Sequence, residues 1–177
     1  MKPTVSTGCL ILCLLALMAG ADAQQTLNFT DLPLVKSPSP MPLGYGRLDW
    51  GNFFYVNPYA WPGGGPGFRL GTQGEDVIFI GGESCRLSNS CWGTLSNSRG
   101  FVLESAQVAA GFGPTLVTVS GYNNGRFVGS ENYFLTTQMQ TLSFPTAWGV
   151  VTEISILVNG AADDFVIYGL NLYTFSE

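Results

Sequence analysis

Few side chains of this sequence could perform acid–base, nucleophilic or metal chemistry. The 177 residues include no histidine, which excludes Ser-His-Asp triads, Cys-His dyads and histidine-based metal centres. A glycosidase would need two carboxylates facing each other across a cleft, and no spacing in the sequence marks such a pair. Glu83 and Glu104 are possible members of one, although nothing distinguishes them. We therefore predict no catalytic residue and keep a carbohydrate-active enzyme as the third of three functional hypotheses.

An aromatic-rich segment, residues 45–67, contains the side chains best suited to bind a ligand. Tyr59 and Trp61 lie between prolines and glycines, which predicts a stiff loop rather than a strand in the core. The flat face of an aromatic ring on such a loop can stack against a sugar, while neighbouring polar side chains bind its hydroxyl groups. The predicted ligand-binding residues are Tyr55, Asn57, Tyr59, Trp61 and Arg47, with Trp92, another aromatic expected on a loop, as a second wall.

Aromatic side chains also have two other common roles. They fill hydrophobic cores, which is the role we predict for Trp50, Phe53 and Phe79. They also anchor protein–protein interfaces, where Tyr and Trp are enriched among the residues that contribute most affinity. The candidate partners are therefore a glycan or cell-wall polysaccharide, or a protein. Nucleic acid is not expected, because the chain has only seven Lys and Arg residues and a net charge of −5.

No cofactor is expected. The acidic residues leave one alternative open, a structural Ca²⁺ ion. Asp31 follows the first predicted strand, and Asp163 and Asp164 precede the last. If the terminal strands pair, these carboxylates could join backbone carbonyls in a site of oxygen ligands. Phosphate binding is not expected at Gly63–Gly67, because no Lys-Ser/Thr pair follows these glycines.

The first 23 residues have the pattern of a secretory signal peptide. Lys2 precedes an apolar run from Cys9 to Ala19, and the Ala-Asp-Ala tripeptide ending at Ala23 matches the small-x-small rule for cleavage. The apolar run is too short for a membrane-spanning helix of about 20 residues. We predict a signal peptide over residues 1–23 and a secreted, extracellular domain over residues 24–177, with no membrane span.

Two features of the predicted mature chain fit an extracellular location. Cys85 and Cys91 are separated by five residues, and two cysteines in a secreted protein most simply form a disulfide bond. A redox or metal-binding pair is the weaker interpretation, since the spacing is not Cys-x-x-Cys. Asn28 begins an Asn-Phe-Thr sequon and is a candidate glycosylation site, with an unused sequon in a strand as the alternative.

Short strands must position these residues, because helical periodicity is nearly absent from the sequence. Apolar and polar residues alternate in residues 115–122, 153–158 and 164–173, and residues 76–80 form a short apolar run. Asn123-Asn-Gly125 predicts a type I′ turn that joins strands 115–122 and 127–134 as a hairpin. About nine or ten such strands, without a break in composition, predict an all-β fold, a single-domain jelly-roll-like β-sandwich.

Motifs near both ends of the predicted mature chain resemble those of a known family. Residues 27–33 (LNFTDLP) and 44–54 (GYGRLDWGNFF) resemble the FDDLP and YGLxWxNF opening of small secreted β-sandwich proteins of fungi and bacteria, some of them PEP-CTERM-like. Residues 116–125 and 164–172 are similar to the closing strands of these proteins. The family is similar to jelly-roll carbohydrate-binding modules, which implies a role at glycans or cell walls. Thr30 replaces the first Asp of the family's acidic pair, which weakens the case for Ca²⁺.

The function that fits these observations best is binding without catalysis. We predict a secreted protein that binds a carbohydrate or cell wall through loop aromatics that stack on the sugar and polar neighbours that contact its hydroxyls. The alternative is a secreted interaction protein, such as an effector acting on a host or partner protein.

Overall fold

Strands account for most of the chain that the structure describes. The computed structural model describes residues 24–69, 76–81, 90–159 and 165–175, so the predicted signal peptide lies outside it. The described strands are β1 (Gln25–Leu27), β2 (Ser39–Pro40), β3 (Asp49–Gly51), β4 (Phe53–Val56), β5 (Val77–Ile80), β6 (Ser90–Ala110), β7 (Thr115–Asn123), β8 (Arg126–Leu135), β9 (Gln140–Ser143), β10 (Val151–Asn159) and β11 (Phe165–Thr174). The described helices are α1 (Pro66–Arg69) and the 3₁₀ turns Tyr45–Arg47 and Thr146–Trp148. None of them is long and apolar enough to cross a membrane.

The long strand β6 connects two layers of antiparallel strands. Its first half pairs with β3 and β10, and β10 continues to β7 and β8; we call this layer the front sheet. Its second half pairs with β9 and β11, and β11 continues to β5, β4 and β2; we call this layer the back sheet. Strand β1 also pairs with β11, so the first and last described strands lie side by side.

The change from one layer to the other occurs where β6 bulges. Ser96 is opposite Glu153 whereas Phe101 is opposite Val151, so β6 has four residues between these pairs where β10 has one. Gly100 lies in the bulge with a φ of 86°, a left-handed conformation that glycine adopts without a side-chain clash. Because bulges bend a strand and increase its twist, a single strand can belong to both sheets.

Apolar side chains from the two sheets fill the space between them. Ile154 of the front sheet and Ile167 of the back sheet are almost completely buried and belong to one core cluster. Gly93 of the front sheet lies so close to Phe53 and Ile80 of the back sheet that a Cβ there would come within 3.0 Å of both side chains. This packing confirms the predicted all-β sandwich.

The predicted hairpin is present at the edge of the front sheet. Strands β7 and β8 pair from Thr115 opposite Leu135 to Asn123 opposite Arg126. The two residues of the turn, Asn124 and Gly125, have φ angles of 49° and 76°. Two consecutive positive φ angles are typical of the type I′ turn, in which Asn and Gly are the least strained residues.

A loop covers the outer face of the back sheet and forms a second, smaller core. Phe68 of α1 is fully buried, and its ring lies edge-to-face against Phe79 of β5 at a centroid distance of 5.2 Å. The Tyr168 hydroxyl of β11 donates a hydrogen bond to the Gly67 carbonyl, and burial raises the pKa of Tyr168 to about 12. The outward side chains of the front sheet, in contrast, are partly or fully exposed. A ligand therefore has access to the front sheet rather than to this part of the back sheet.

The predicted core residues lie in the two cores. Phe53 and Phe79 are buried, the first between the sheets and the second under the loop. Trp50 is half-buried, and its ring packs edge-to-face on Phe53 at 5.3 Å. Its indole N–H donates a hydrogen bond to the Tyr45 carbonyl at 2.8 Å, so the polar atom is satisfied where the ring is packed.

Candidate functional site

The structure does not bring the predicted ligand-binding residues together on one surface. Tyr55 lies in β4, is only 7% exposed, and belongs to the core between the sheets. Asn57 is 8% exposed. Both predictions are corrected, because β4 directs Tyr55 inward and Asn57 organises the loop that follows.

Asn57 stabilises the start of the loop after β4. Its Oδ1 accepts hydrogen bonds from the backbone amides of Tyr59 and Ala60, both at 3.1 Å. Its backbone carbonyl accepts hydrogen bonds from the amides of Ala60 and Trp61, at 3.2 and 3.0 Å. Pairing of this kind with nearby backbone groups is a common role of Asn in turns. The side chain is therefore used within the protein rather than offered to a ligand.

Trp61 covers the back sheet instead of pointing into solvent. Its ring stacks on Phe79, with centroids 5.8 Å apart and an angle of 15° between the planes. It also lies edge-to-face against Phe68 at 5.3 Å and packs against the second core. One face of the indole is thus occupied by Phe79, which corrects the prediction that this ring is held outward for a sugar.

Tyr59 is the aromatic residue of this loop that lies at the surface. It is 59% exposed, and its hydroxyl donates a hydrogen bond to the Arg69 carbonyl at 3.4 Å. Its ring borders a shallow groove of about 370 Å³ lined by Leu34, Val35, Lys36, Asn57, Tyr59 and Ala60. Tyr59 is accessible, as expected for a loop, but the rings of Tyr55 and Trp61 are packed elsewhere.

Trp92 lies on the outer surface of the front sheet. It is 57% exposed and belongs to β6, which corrects its predicted position on a loop. Leu157 of β10 is directly opposite it, and Thr118 of β7 and Asn132 of β8 continue the same row. We call these four residues the Trp92 row. It places one large aromatic ring at the end of a line of smaller side chains.

A row of small hydroxyl-bearing residues lies next to the Trp92 row. Ser130, Ser120, Ser155 and Thr94 are paired across β8, β7, β10 and β6, and we call them the hydroxyl row. Gly51 of β3 extends it by one strand. With neighbouring strands about 4.8 Å apart, the five positions span about 19 Å. Because most side chains on either side are larger, the hydroxyl row forms the floor of a shallow trough across the strands.

The far wall of the trough combines an aromatic ring with acidic groups. Tyr122, Glu153, Ser96 and Asp49 are paired along this wall. The Tyr122 ring packs edge-to-face on Phe127 of β8 at 5.7 Å. The trough therefore has aromatic rings on both walls, Trp92 on one and Tyr122 on the other, with hydroxyl groups between them.

Arg47 borders a separate groove that adjoins the far wall. The groove has a volume of about 470 Å³ and is lined by Arg47, Asp49, Asn97, Ser98, Arg99 and Phe175. Asp49 belongs to both the groove and the far wall, so the two surfaces meet at this residue. Sequence reasoning identified Arg47 but missed Arg99, which lies 52 residues further along the chain and reaches the groove through the β6 bulge.

The proposed Ca²⁺ ligands are only partly within the described chain. The Asp31 carboxylate accepts a hydrogen bond from the Tyr45 hydroxyl at 2.6 Å, and burial together with this contact raises the pKa of Tyr45. Within the described ranges, no group of three or more acidic, cysteine or histidine residues is placed to hold a metal ion. Asp163 and Asp164 lie outside those ranges, so the Ca²⁺ site stays a prediction.

The predicted covalent features also lie partly outside the described residues. Cys91 is disulfide-bonded, but Cys85 is outside the described ranges, so their pairing stays a prediction. Asn28 is exposed just after β1, and the Thr30 hydroxyl donates a hydrogen bond to its Oδ1 at 3.0 Å. The sequon is therefore at the surface, and its glycosylation stays a prediction.

The two acids considered for catalysis are only partly within the described chain, so their pairing stays untested. Glu83 lies outside the described ranges. Glu104 is exposed on the second half of β6, where it accepts a hydrogen bond from the Gln24 side chain at 2.5 Å. A buried acid that sequence reasoning did not single out is Asp76, immediately before β5. Its only signal in the sequence is its position at the start of an apolar run.

Asp76 is a buried carboxyl group with an elevated pKa. It is 3% exposed, and no described residue donates a hydrogen bond of normal geometry to either carboxylate oxygen. Burial raises the pKa of Asp76, and the nearby Asn57 side chain offsets part of that rise. Burial thus disfavours the charged form of Asp76, so its ionisation costs stability.

Replacing Asp76 by Asn is expected to stabilise the protein at neutral pH. Because its folded-state pKa is raised, the acid stabilises the fold fully below the ordinary pKa of 3.8, and this contribution disappears as the pH rises through the folded-state value. The free energy of unfolding of Asp76→Asn should therefore be about 1 kcal/mol higher than that of wild type at pH 7. Below pH 3.8 the two proteins should have the same free energy of unfolding. Urea denaturation at both pH values measures the difference. A gap that persists in acid would contradict the assignment.

Comparisons with known proteins return distant structural matches. No protein-family profile and no curated protein matches the sequence. A structure of the CBM22-1 and GH10 modules of Clostridium thermocellum endo-1,4-β-D-xylanase 10B with xylohexaose is 12% identical, with a TM-score of 0.40 over 72% of this chain and 26% of that chain. The structure of TmCBM61 with β-1,4-galactotriose is 14% identical, with a TM-score of 0.39 over 75% and 90%. The chain thus spans about a quarter of the xylanase chain.

Proposed function

We propose that this chain is a secreted, non-catalytic protein that binds a glycan or cell-wall polysaccharide in the trough of the front sheet. The observation that carries the proposal is the Trp92 ring, which is 57% exposed on the outer face of the front sheet, at the end of the Trp92 row. A tryptophan in this position contributes little to the core and presents a flat apolar face to water. Exposed aromatic surface surrounded by polar groups is typical of a binding site.

The rows beside Trp92 supply the polar groups that a sugar needs. Each hydroxyl of the hydroxyl row can both donate and accept a hydrogen bond. The Thr118 hydroxyl donates to Asn132 Oδ1 at 2.7 Å, which fixes the orientation of the Asn132 amide. An apolar face combined with a few oriented polar groups is the usual composition of a ligand site. It matches a pyranose, which has C–H groups on its faces and hydroxyls around its rim.

The length of the trough favours a polymer over a single sugar. The floor spans about 19 Å from β8 to β3 and reaches the edge strand on each side. A linear chain can therefore enter and leave across the sheet edges while several of its units contact the floor. The low charge of the front sheet fits a ligand held by stacking and hydroxyl contacts.

A protein partner is the second candidate, and the β7–β8 hairpin favours it. Phe127 and Phe134 of β8 are 56% and 65% exposed, and Leu116 of β7 lies opposite Phe134. Exposed apolar residues along an edge strand are typical of a protein interface. Binding at this edge would be saturable and independent of the Trp92 row.

A bulky residue at the centre of the trough tests the proposed glycan site. Ser155 lies between Ser120 and Thr94 in the hydroxyl row. Ser155→Arg places a long charged side chain over the floor, so we expect at least about a tenfold loss of affinity for any glycan that wild type binds. A glycan array identifies that glycan, and retention on insoluble chitin, β-glucan and cellulose gives the affinity for polymers.

The matched control for Ser155→Arg is Ser37→Arg. Ser37 is exposed in the segment before β2, away from the front sheet, and the substitution adds the same charge. Ser37→Arg should bind like wild type, and both variants should keep the wild-type unfolding temperature. The proposal is wrong if wild type binds no glycan, or if Ser155→Arg binds as well as Ser37→Arg.

A further inference from the structure

The outer face of the β7–β8 hairpin gives the proposed glycan site a preference for one substituent. We infer that Thr118, Asn132, Leu116 and Phe134 form a subsite for an acetamido group, so that the preferred ligand is a glycan of N-acetylated sugars. The inference rests on the proposed function, since Thr118 and Asn132 belong to the Trp92 row. It adds a substrate class to that function.

The Asn132 side chain presents hydrogen-bond donors to solvent. It is exposed on β8, and its Oδ1 accepts a hydrogen bond from the Thr118 hydroxyl at 2.7 Å. That hydroxyl accepts in turn from Asn159 Nδ2 at 3.4 Å, so its own proton is directed to Asn132. No residue of the described chain accepts a hydrogen bond from Asn132 Nδ2. The amide therefore suits a carbonyl oxygen better than a hydroxyl, whose proton would find no free acceptor on this side chain.

An exposed apolar pair lies directly beside Asn132. Phe134 follows it by two residues on the same face of β8, and Leu116 of β7 is paired with Phe134. The two side chains are 65% and 44% exposed. The methyl group of an acetamido substituent can cover part of this pair while its carbonyl oxygen accepts from the Asn132 amide. Removal of both apolar surfaces from water favours that arrangement.

The charge of the subsite favours a neutral substituent. Its side chains carry no charge, and the whole chain has a net charge of −5. A carboxylate or sulfate placed here would lose water without meeting a cation. An acetamido group is neutral and joins a strong acceptor to an apolar methyl group. It therefore matches an amide donor that lies beside an apolar pair.

The distance to Trp92 determines how the ligand lies. Trp92 is three strands from Asn132 in the same row, or about 14 Å with neighbouring strands about 4.8 Å apart. The sugar stacked on Trp92 and the acetamido group at Asn132 therefore belong to different units of one oligomer. The units between them lie over the trough.

Chitohexaose and cellohexaose test the subsite, because each unit differs only in an acetamido group in place of one hydroxyl. Wild type is expected to bind chitohexaose at least about tenfold more tightly in isothermal titration, from one hydrogen bond and one covered methyl group. Asn132→Asp replaces the N–H donors by acceptors and should bring this ratio close to one. Cellohexaose should keep its affinity, because its hydroxyls can donate to the new carboxylate.

Two further variants separate the polar and apolar parts of the subsite. Thr118→Val keeps the shape of the side chain but releases the Asn132 amide, and Phe134→Ser removes the apolar surface under the methyl group. Each should lower the affinity for chitohexaose at least about threefold and leave that for cellohexaose unchanged. Both positions face outward, so the unfolding temperatures should stay close to that of wild type.

The back sheet supplies matched controls, because it contains the same pair of residue types. The Thr26 hydroxyl of β1 donates to Asn171 Oδ1 of β11 at 2.8 Å. Thr26→Val and Asn171→Asp should therefore keep the wild-type ratio. Phe127→Ser, which removes a ring 56% exposed at the other end of β8, should also keep it. A fall in the ratio in any of these controls equal to that in its front-sheet counterpart overturns the inference.

The outcomes distinguish the subsite from the proposed function. Equal affinities for the two hexamers, or binding of neither while another glycan binds, overturn the subsite and leave the proposed function standing. An equal loss for both hexamers in Asn132→Asp also overturns the subsite, because the amide then contacts the sugar without regard to its substituent. Absence of binding to every glycan overturns the proposed function itself.

Discussion

A Trp92→Ala variant is expected to lose at least about tenfold in glycan affinity while keeping the unfolding temperature of wild type. Truncation of a tryptophan that anchors a ligand commonly costs about 2 kcal/mol or more, which is more than about tenfold in affinity. The fold should not change, because the ring is mostly exposed and belongs to neither described core cluster. The backbone pairing of Trp92 with Leu157, and the 2.6 Å hydrogen bond from the Asn52 side chain to the Trp92 carbonyl, do not involve the ring.

Tyr59→Ala is the matched control for this experiment. Tyr59 is 59% exposed, almost the same as Trp92, but borders the loop groove instead of the trough. Isothermal titration with an oligosaccharide of the polymer that wild type binds should show a loss for Trp92→Ala and none for Tyr59→Ala. The reverse result would place the sugar at the loop, where the sequence predicted it, and would contradict binding at the front sheet.

The features that the sequence predicted well are those set by neighbouring residues. The turn at Asn123–Gly125 follows from the positive φ angles that Asn and Gly tolerate, so the hairpin could be predicted without knowledge of distant contacts. Alternation around Ile154 likewise separates the side chains that enter the core from those that face solvent. Both signals act over a few residues, and tertiary contacts did not override them.

The placement of Trp61 failed because a loop can fold back over a sheet. Its proline and glycine neighbours predicted an exposed ring, yet the ring packs on Phe79. The sequence did contain a signal for this cover. Val77–Ile80 is four consecutive apolar residues without alternation, and all four are buried. A strand that is apolar on both faces needs a second layer on its outer face, and here residues after β4 provide it.

The Trp92 row could not be predicted because it depends on long-range register. The alternation of Trp92 and Thr94 with buried Cys91 and Leu95 is visible in the sequence once residues 90–96 are taken as a strand. Which residues lie beside Trp92 is not visible, since its partner Leu157 is 65 residues away along the chain. If the pairing of β6 with β10 shifted by one residue, a side chain from the opposite face of β10 would lie beside Trp92.

Phe68→Ala is expected to lower the free energy of unfolding by about 3–5 kcal/mol, the cost of deleting a fully buried phenylalanine. Its ring has no exposure and lies against three other aromatic rings, at centroid distances of 5.3 Å from Trp61, 5.2 Å from Phe79 and 5.8 Å from Phe112. Because rings of this size cannot collapse fully into the space, a cavity would stay beneath the loop. Urea denaturation monitored by tryptophan fluorescence measures the loss in free energy of unfolding. Trp61, in the same cluster, is one of the residues whose fluorescence reports on the unfolding.

Phe112→Ala removes a ring from the same cluster and serves as the control. Phe112 is 44% exposed, so its loss should cost less than about 1 kcal/mol. The glycan affinity of Phe68→Ala, measured where this variant is still folded, should equal that of wild type. The reason is that α1 covers the back sheet, whereas the trough lies on the front sheet. If Phe68→Ala keeps its stability but loses glycan binding, the loop around Trp61 is the recognition surface and its role as a cover is wrong.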